Sequence, residues 1–211
     1  MSISPALCGV VLAAGESSRM GRDKALLPWP PSGADAGQTF LSAAIESLIP
    51  FTEMVMVVVG KNESELAPIV FAHGAFLVKN PKPERGQFSS LQIGLQEVLN
   101  RGRDAAIVTL VDRPPASPAT LQTLCDEFSS TPSGTWALIP EHAGIHGHPI
   151  VLGIEMIEVF LKSPATASAR ELEHEYREHI AYVPVNDPAV ARNVNTPEEY
   201  AALCSPAPSQ P

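Results

Sequence analysis

Only three cysteines, Cys8, Cys125 and Cys204, occur in the 211 residues, far apart and without a CxxC pair. That odd count excludes a disulfide framework and a cysteine zinc cluster, and reduced thiols in a cytoplasmic protein are the expectation. Apolar runs are short as well. None approaches the ~18 residues that a bilayer span needs. The opening MSISPALCG lacks a basic segment followed by a long apolar one, so no secretion signal is expected. Positive charge is the third shortage: 14 Lys and Arg stand against 23 Asp and Glu, a net charge of −9. So acidic a balance excludes broad binding to DNA or RNA. Apolar residues, by contrast, make up 45% of the chain, enough for one packed core. A single domain over 1–204 is expected, followed by a disordered proline-rich tail at 205–211.

An acidic chain that binds an anion must concentrate its few cations. The stretch from Gly9 to Trp29, GVVLAAGESSRMGRDKALLPW, does so. Val10 to Leu12 reads as a buried strand, and Ala13, Ala14 and Gly15 at its end let backbone approach a ligand closely. Main-chain N–H groups there, joined by Arg19, Arg22 and Lys24, make an anion site suited to a triphosphate. The spacing is neither a Walker loop nor a dinucleotide fingerprint, because Lys24 lies three residues past Gly21 and no GxGxxG occurs. An ordinary strand, polar turn and helix start fits the same residues. Lys79, Lys82 and Arg85 form a second cationic group, which either converges on the first or decorates a solvated loop.

Apolar runs at 54–59, 76–78, 105–111, 136–140 and 180–185 alternate with amphipathic stretches. That alternation predicts a three-layer α/β/α Rossmann-like fold around a mainly parallel sheet. Thr39 and Ser117-Pro118 open two of the helices. Ser89 with Gln92 predicts a capping box for another, and Ser163-Pro164 opens a helix over 165–177. Thr196, Pro197 and Glu199 form a cap, first turn and capping box for the last. Asp112 follows a buried strand, where open α/β sheets place their sites and where a carboxylate suits magnesium, although Asp-x-Pro is also a common turn. His142, His146 and His148 lie close together around Gly144 and Gly147, so a helical metal pair is excluded and only a hairpin could converge the rings.

Taken as a string, the first stretch resembles the L-A-A/G-G-x-S-x-R-M-G-x-x-K signature of the MobA-like nucleotidyltransferases. Leu12, Ala13, Ala14, Gly15, Ser17, Arg19, Met20, Gly21 and Lys24 all match. Four further segments resemble that family in the same order: the Ser89-Ser90-Leu91 helix start, Leu110-x-Asp112-x-Pro114, the GHPIVL run with His148, and the Asn193-Val194-Asn195-Thr196-Pro197-Glu198-Glu199 ending. The resemblance is nearest to the molybdenum cofactor cytidylyltransferases and implies a Rossmann-like nucleotidyltransferase fold. It implies nucleotide contacts from Leu12, Ala13, Ala14, Gly15, Arg19, Lys24, Lys79, Ser89 and Ser90, and catalytic roles for Arg19, Lys24 and Asp112. Asp112, completed by Asn195 or Asn193, would hold Mg²⁺, and His148 would stand on the acceptor side.

The reaction so implied moves a nucleoside monophosphate from a triphosphate to a phosphorylated acceptor, molybdopterin, and releases pyrophosphate. CTP is favoured by Ala13-Ala14, the Ser-Ser-Leu helix and GHP; Asp23-Lys24 and Asn-x-Asn-Thr-Pro lean towards GTP. Sugar phosphates are a further acceptor class, and a non-catalytic partner delivering cofactor to a molybdoenzyme is the reading from a different class. Neither nucleic acid nor membrane is an expected partner. Relatives commonly carry G-D-x-G-A-R where this chain has Ala165-Thr166-Ala167-Ser168-Ala169-Arg170, a departure that bears on the acceptor.

Overall fold

The computed structural model describes residues 7–15, 20–31 and 37–203. Arg19, Ser17, Cys204 and the tail at 205–211 lie outside the described residues. Four parallel strands form the first half of the sheet: β1 (Leu7–Leu12), β2 (Met54–Val59), β3 (Phe76–Lys79) and β4 (Ala105–Leu110). The second half holds β5 (Ala137–His142), β6 (Ile145–His146), β7 (Ile150–Leu152) and β8 (Ile180–Pro184). Spatial order is β3-β2-β1-β4-β7-β5, with β6 and β8 both paired to β5. Strand β7 runs antiparallel to β4 and β5, in a sheet otherwise mainly parallel.

Strands covered on both faces read as continuous apolar runs, and that is why β1 (LCGVVL) is buried at every position. The period of two then divides it between two cores. Leu7 and Val11 pack with α1 (Phe40–Leu48), α2 (Glu63–Ala72) and α4 (Pro118–Ser130). Cys8, Val10 and Leu12 pack with α3 (Gln87–Asn100), α5 (Ile154–Lys162) and α6 (Ala169–Glu175). The expected three layers follow from this. The last helix, α7 (Pro197–Ala202), is capped by Thr196 and Glu199 as predicted. No described helix is long and apolar enough to cross a membrane.

Two helix starts differ from expectation. Gly86, at φ 95°, turns the chain into α3, so Ser89 already lies in the first turn and its hydroxyl donates to Gly86 O at 2.7 Å. Gln92 is not its capping partner. Its amide instead donates to Phe160 O and Ser163 O, both at 2.8 Å, capping the end of α5. The helix expected over 165–177 begins only at Ala169, because Ser168 and Glu171 make the capping box there. Residues before it form a turn closed by Ala167 N donating to Pro164 O.

Candidate active site

The C-terminal ends of β1 and β4 are neighbours, yet the chain leaves them in opposite directions along the sheet. Such a switch point opens a crevice past the strand ends. The end of β1 is fixed by Ala13 N donating to Val58 O at 2.8 Å and by Asn62 Nδ2 donating to Ala13 O at 2.9 Å. Gly60 lets the next strand pass close by: a Cβ there would meet Ala14 O at 2.9 Å. The same Asn62 amide nitrogen donates to Asp23 Oδ2 at 2.6 Å, while Asp23 Oδ1 accepts from Ala25 N at 2.9 Å. Asp23 thereby caps the short 3₁₀ turn Lys24–Leu26 and aims Lys24 back at the crevice.

Lys24 is only 8% exposed. Its Nζ donates to Asp112 Oδ2 and to Asn195 Oδ1, each at 3.1 Å. Asn195 reaches that place because Val194 N donates to Asp112 O at 2.8 Å, bringing the segment before α7 against the end of β4. Asn193 faces solvent, so Asn195 is the asparagine beside Asp112. One ammonium thus gathers a carboxylate and an amide oxygen from residues 88 and 171 positions away.

Two adjoining cavities open beside this cluster. The smaller, about 230 Å³, is bounded by Leu12, Ala14, Gly15, Lys24, Ser90 and Asp112. The larger, about 1080 Å³, runs along the β5–β6 hairpin to α6 and includes Arg85, Arg113, His148, Arg170, Glu173 and Arg177. Leu12, Gly86, Gln87 and Leu110 border both, so the cavities are continuous.

The remaining expected residues divide. Ser89 and Ser90 both accept from Asn80 Nδ2, at 3.1 and 2.9 Å, and Asn80 is 1% exposed. Their first role is to seat the start of α3 on the end of β3; only Ser90 borders a cavity. Lys79 is not brought to the crevice. Its ammonium pairs with Glu63 at 2.6 Å on the surface, with the side chain 60% exposed. Of the second cationic group, Arg85 alone borders a cavity. The three histidines do not converge: His142 Nδ1 lies 3.0 Å from Val185 O, His146 stacks on Tyr182 at 3.9 Å, and His148 faces the larger cavity.

Burial, with the Arg113 charge beside it, lowers the pKa of the half-buried His148 to about 3. The ring is neutral at any ordinary pH, and its Nδ1 is buried without a hydrogen-bond partner. Burial also lowers the Arg113 pKa, opposed by the Asp112 charge. Across the cavity, burial raises the Glu173 pKa, against the pull of His146 and Arg170. Sequence reasoning missed Asp23 and Asn62 as the pair aiming Lys24, and passed over Arg113. A capping signal was present in Asp23, two residues before Ala25; Asn62 precedes α2 and its Oδ1 accepts from Gly60 N at 3.0 Å, but the partners of its amide nitrogen lie 39 and 49 positions away.

A crevice at the switch point of a three-layer sheet, holding one buried lysine against a carboxylate, defines an α/β nucleotidyltransferase. Residues 9–180 match the MobA-like NTP transferase domain, and the chain belongs to that family. A molybdenum cofactor guanylyltransferase of Xanthomonas euvesicatoria is 31% identical over 96% of this chain and 97% of its own. The molybdenum cofactor cytidylyltransferase of Escherichia coli is 24% identical over 90% of this chain and 92% of its own. A relative from Rhodopirellula baltica is 32% identical, over 61% of this chain; the match spans 59% of that relative's length. The crystal structure of Rv0371c from Mycobacterium tuberculosis superposes with a TM-score of 0.80 and 26% identity, over 96% of this chain and 98% of that one.

Proposed function

We propose that this chain transfers a nucleoside monophosphate from GTP or CTP to the phosphate of molybdopterin, releasing pyrophosphate. The observation that carries the proposal is the meeting of Lys24, Asp112 and Asn195, with Lys24 and Asp112 bordering the smaller of two continuous cavities. The triphosphate takes the smaller cavity, against Ala14 and Gly15, with Lys24 and Arg19 offsetting its charge. Ser90 and the start of α3 border the same space. The acceptor takes the larger cavity, along the wall that holds His148.

An acceptor phosphate oxygen attacks the α-phosphorus. A new P–O bond forms while the bond to the β-phosphate oxygen breaks, and pyrophosphate leaves. The attacking oxygen is already ionised at neutral pH, so no general base is needed. Positioning and charge stabilisation are the protein's contribution. Asp112 Oδ2 and Asn195 Oδ1 suit Mg²⁺, being hard oxygen donors that already converge on one cationic nitrogen. One carboxylate and one amide leave further coordination to phosphate oxygens and water; bound there, the ion would supply charge neutralisation.

The two nucleotides have different support. The guanylyl relative aligns with higher identity than the cytidylyl one, and Asp23-Lys24 also leans to GTP. The Ser89-Ser90 helix start and the GHP run lean to CTP. Pyrophosphate release with each of the four triphosphates, with and without molybdopterin, separates these readings. Release with one triphosphate only in the presence of molybdopterin is the expected result. No release with any of them would leave a non-catalytic delivery partner as the better reading.

A further inference from the structure

Asp112 and Arg113 are consecutive, yet they face different chambers: Asp112 borders the smaller cavity and Arg113 the larger. We propose that Arg113 is the residue that grips the acceptor's phosphate, a role resting on the reaction proposed above. Its backbone N donates to Leu110 O at 3.1 Å, and its Nη1 donates to Val190 O at 3.0 Å. The guanidinium is therefore held in place before any ligand arrives. Its Nε is buried and has no hydrogen-bond partner, and His148 Nδ1, on the same cavity, is likewise buried and unpartnered.

Two neighbouring orphaned polar atoms on one cavity wall call for a reason, since each costs free energy that a partner would return. A phosphate oxygen supplies what is missing: an acceptor for the guanidinium and a negative charge beside it. The surroundings agree with an anion. Asp112, the carboxylate nearest in sequence, is engaged by Lys24. Arg85, Arg170 and Arg177 border the same space against Glu173, in a protein of net charge −9. A planar fork fits phosphate better than an ammonium does, so arginine suits the place and lysine would serve it poorly. One residue step also turns the chain from the donor's chamber to the acceptor's. That is the distance scale on which two phosphates must meet for in-line attack.

The test is a KM split on the full chain, with pyrophosphate release as readout. Arg113→Gln should raise the KM for molybdopterin at least about tenfold, the weight of one charge-assisted hydrogen bond, and leave the triphosphate KM within about twofold. Arg113→Lys should fall between the two. An unchanged molybdopterin KM, or equal change in both constants, overturns the assignment. A second measurement needs no turnover: calorimetric titration with inorganic phosphate, of protein alone and of protein saturated with a non-hydrolysable α,β-methylene triphosphate. Phosphate should bind at least about tenfold more weakly to Arg113→Gln than to wild type; equal affinity overturns the proposal. If wild type does not bind the triphosphate analogue, the reaction proposed above fails, and the phosphate titration still decides Arg113. Should Arg113→Gln not fold, Arg113→Lys carries both comparisons, and unchanged phosphate affinity in it is the overturning result.

Discussion

Lys24 illustrates how much a single side chain can be asked to do. Its ammonium is the meeting point of residues from the first, middle and last parts of the chain. Removing it leaves Asp112 and Asn195 facing each other without a cation. Lys24→Ala should lower kcat about 10²–10³-fold, the scale of losing one preorganised stabiliser; steady-state pyrophosphate release measures it, and a loss below about threefold would remove Lys24 from the mechanism. His148 gives a prediction about pH. Its folded pKa of about 3 lies far below the ordinary value of 6.5, so the unfolded chain binds the extra proton throughout that interval. The stability this contributes is complete above pH 6.5 and is lost as pH falls towards about 3. Chemical denaturation at pH 7, 5 and 4 should show wild type losing more stability than His148→Asn. Parallel losses in the two proteins would contradict the burial of the ring. At this scale the sequence was readable where a residue type belongs to a recognisable motif, not in which partners it meets. The structure brings Lys24, Asp112 and Asn195 together across 88 and 171 positions, whereas Lys79 does not reach the crevice, because Glu63 at the start of α2 offers it a nearer charge.

At the level of elements, close backbone approaches position the two chamber walls. Gly94 of α3 sits on the sheet so closely that a Cβ would come within 2.8 Å of Val10 Cγ1 and 3.0 Å of Val58 Cγ2. Gly94→Ala should therefore destabilise the fold by about 1–3 kcal/mol, measured by denaturant unfolding, as overpacking of a tight core does. A change below about 0.5 kcal/mol would mean α3 can lift without cost. Gly147 is more constrained still, since its Cβ would collide with the carbonyl of Val190. That carbonyl also accepts from His148 N and Arg113 Nη1, so the same few atoms tie the GHP run to the segment after β8. Helix α6 depends on its cap: Ser168→Ala should cost about 1 kcal/mol and loosen Arg170 and Glu173 at the cavity edge. An unchanged melting temperature would argue against that dependence. Periodicity revealed most helices and six of the eight described strands, all but the short β6 and β7, because burial on one or two faces writes itself into the local pattern. The start of α3 was misread for a physical reason: Ser-x-x-Gln matches a capping box, but Gln92 has carbonyls at the end of α5 to satisfy, 68 and 71 residues away.

Across the whole molecule, an acidic protein places five of its 14 Lys and Arg around one crevice. Arg85, Arg113, Arg170 and Arg177 border the larger cavity, and Lys24 borders the smaller one. Attraction of a polyanion to such a field weakens as the Debye length shrinks from ~10 Å at 0.1 M salt to ~3 Å at 1 M. KM for both substrates should rise over that range while kcat changes little, because the buried Lys24–Asp112 pair is screened less than the rim. Salt-independent KM values would show that these arginines play no part in capture. Partition of the site between two chambers was not legible in the sequence. It arises from the way β7 enters the sheet, and three apolar residues give no sign of strand direction.

That reversed strand has a consequence of its own. Ile150 of β7 lies opposite Val108 of β4, so the loop just ahead of β7 comes out at the rim where the parallel strands end. The larger cavity is therefore walled from two directions, by Arg113 past the tail of β4 and by the GHP run at the head of β7. Recomposing that turn around an unchanged Gly147 would reshape this wall without disturbing the register of β1, β2, β3 or β4. Such an edit stays clear of Lys24 but not of Arg113, which holds the same Val190 carbonyl as His148 N.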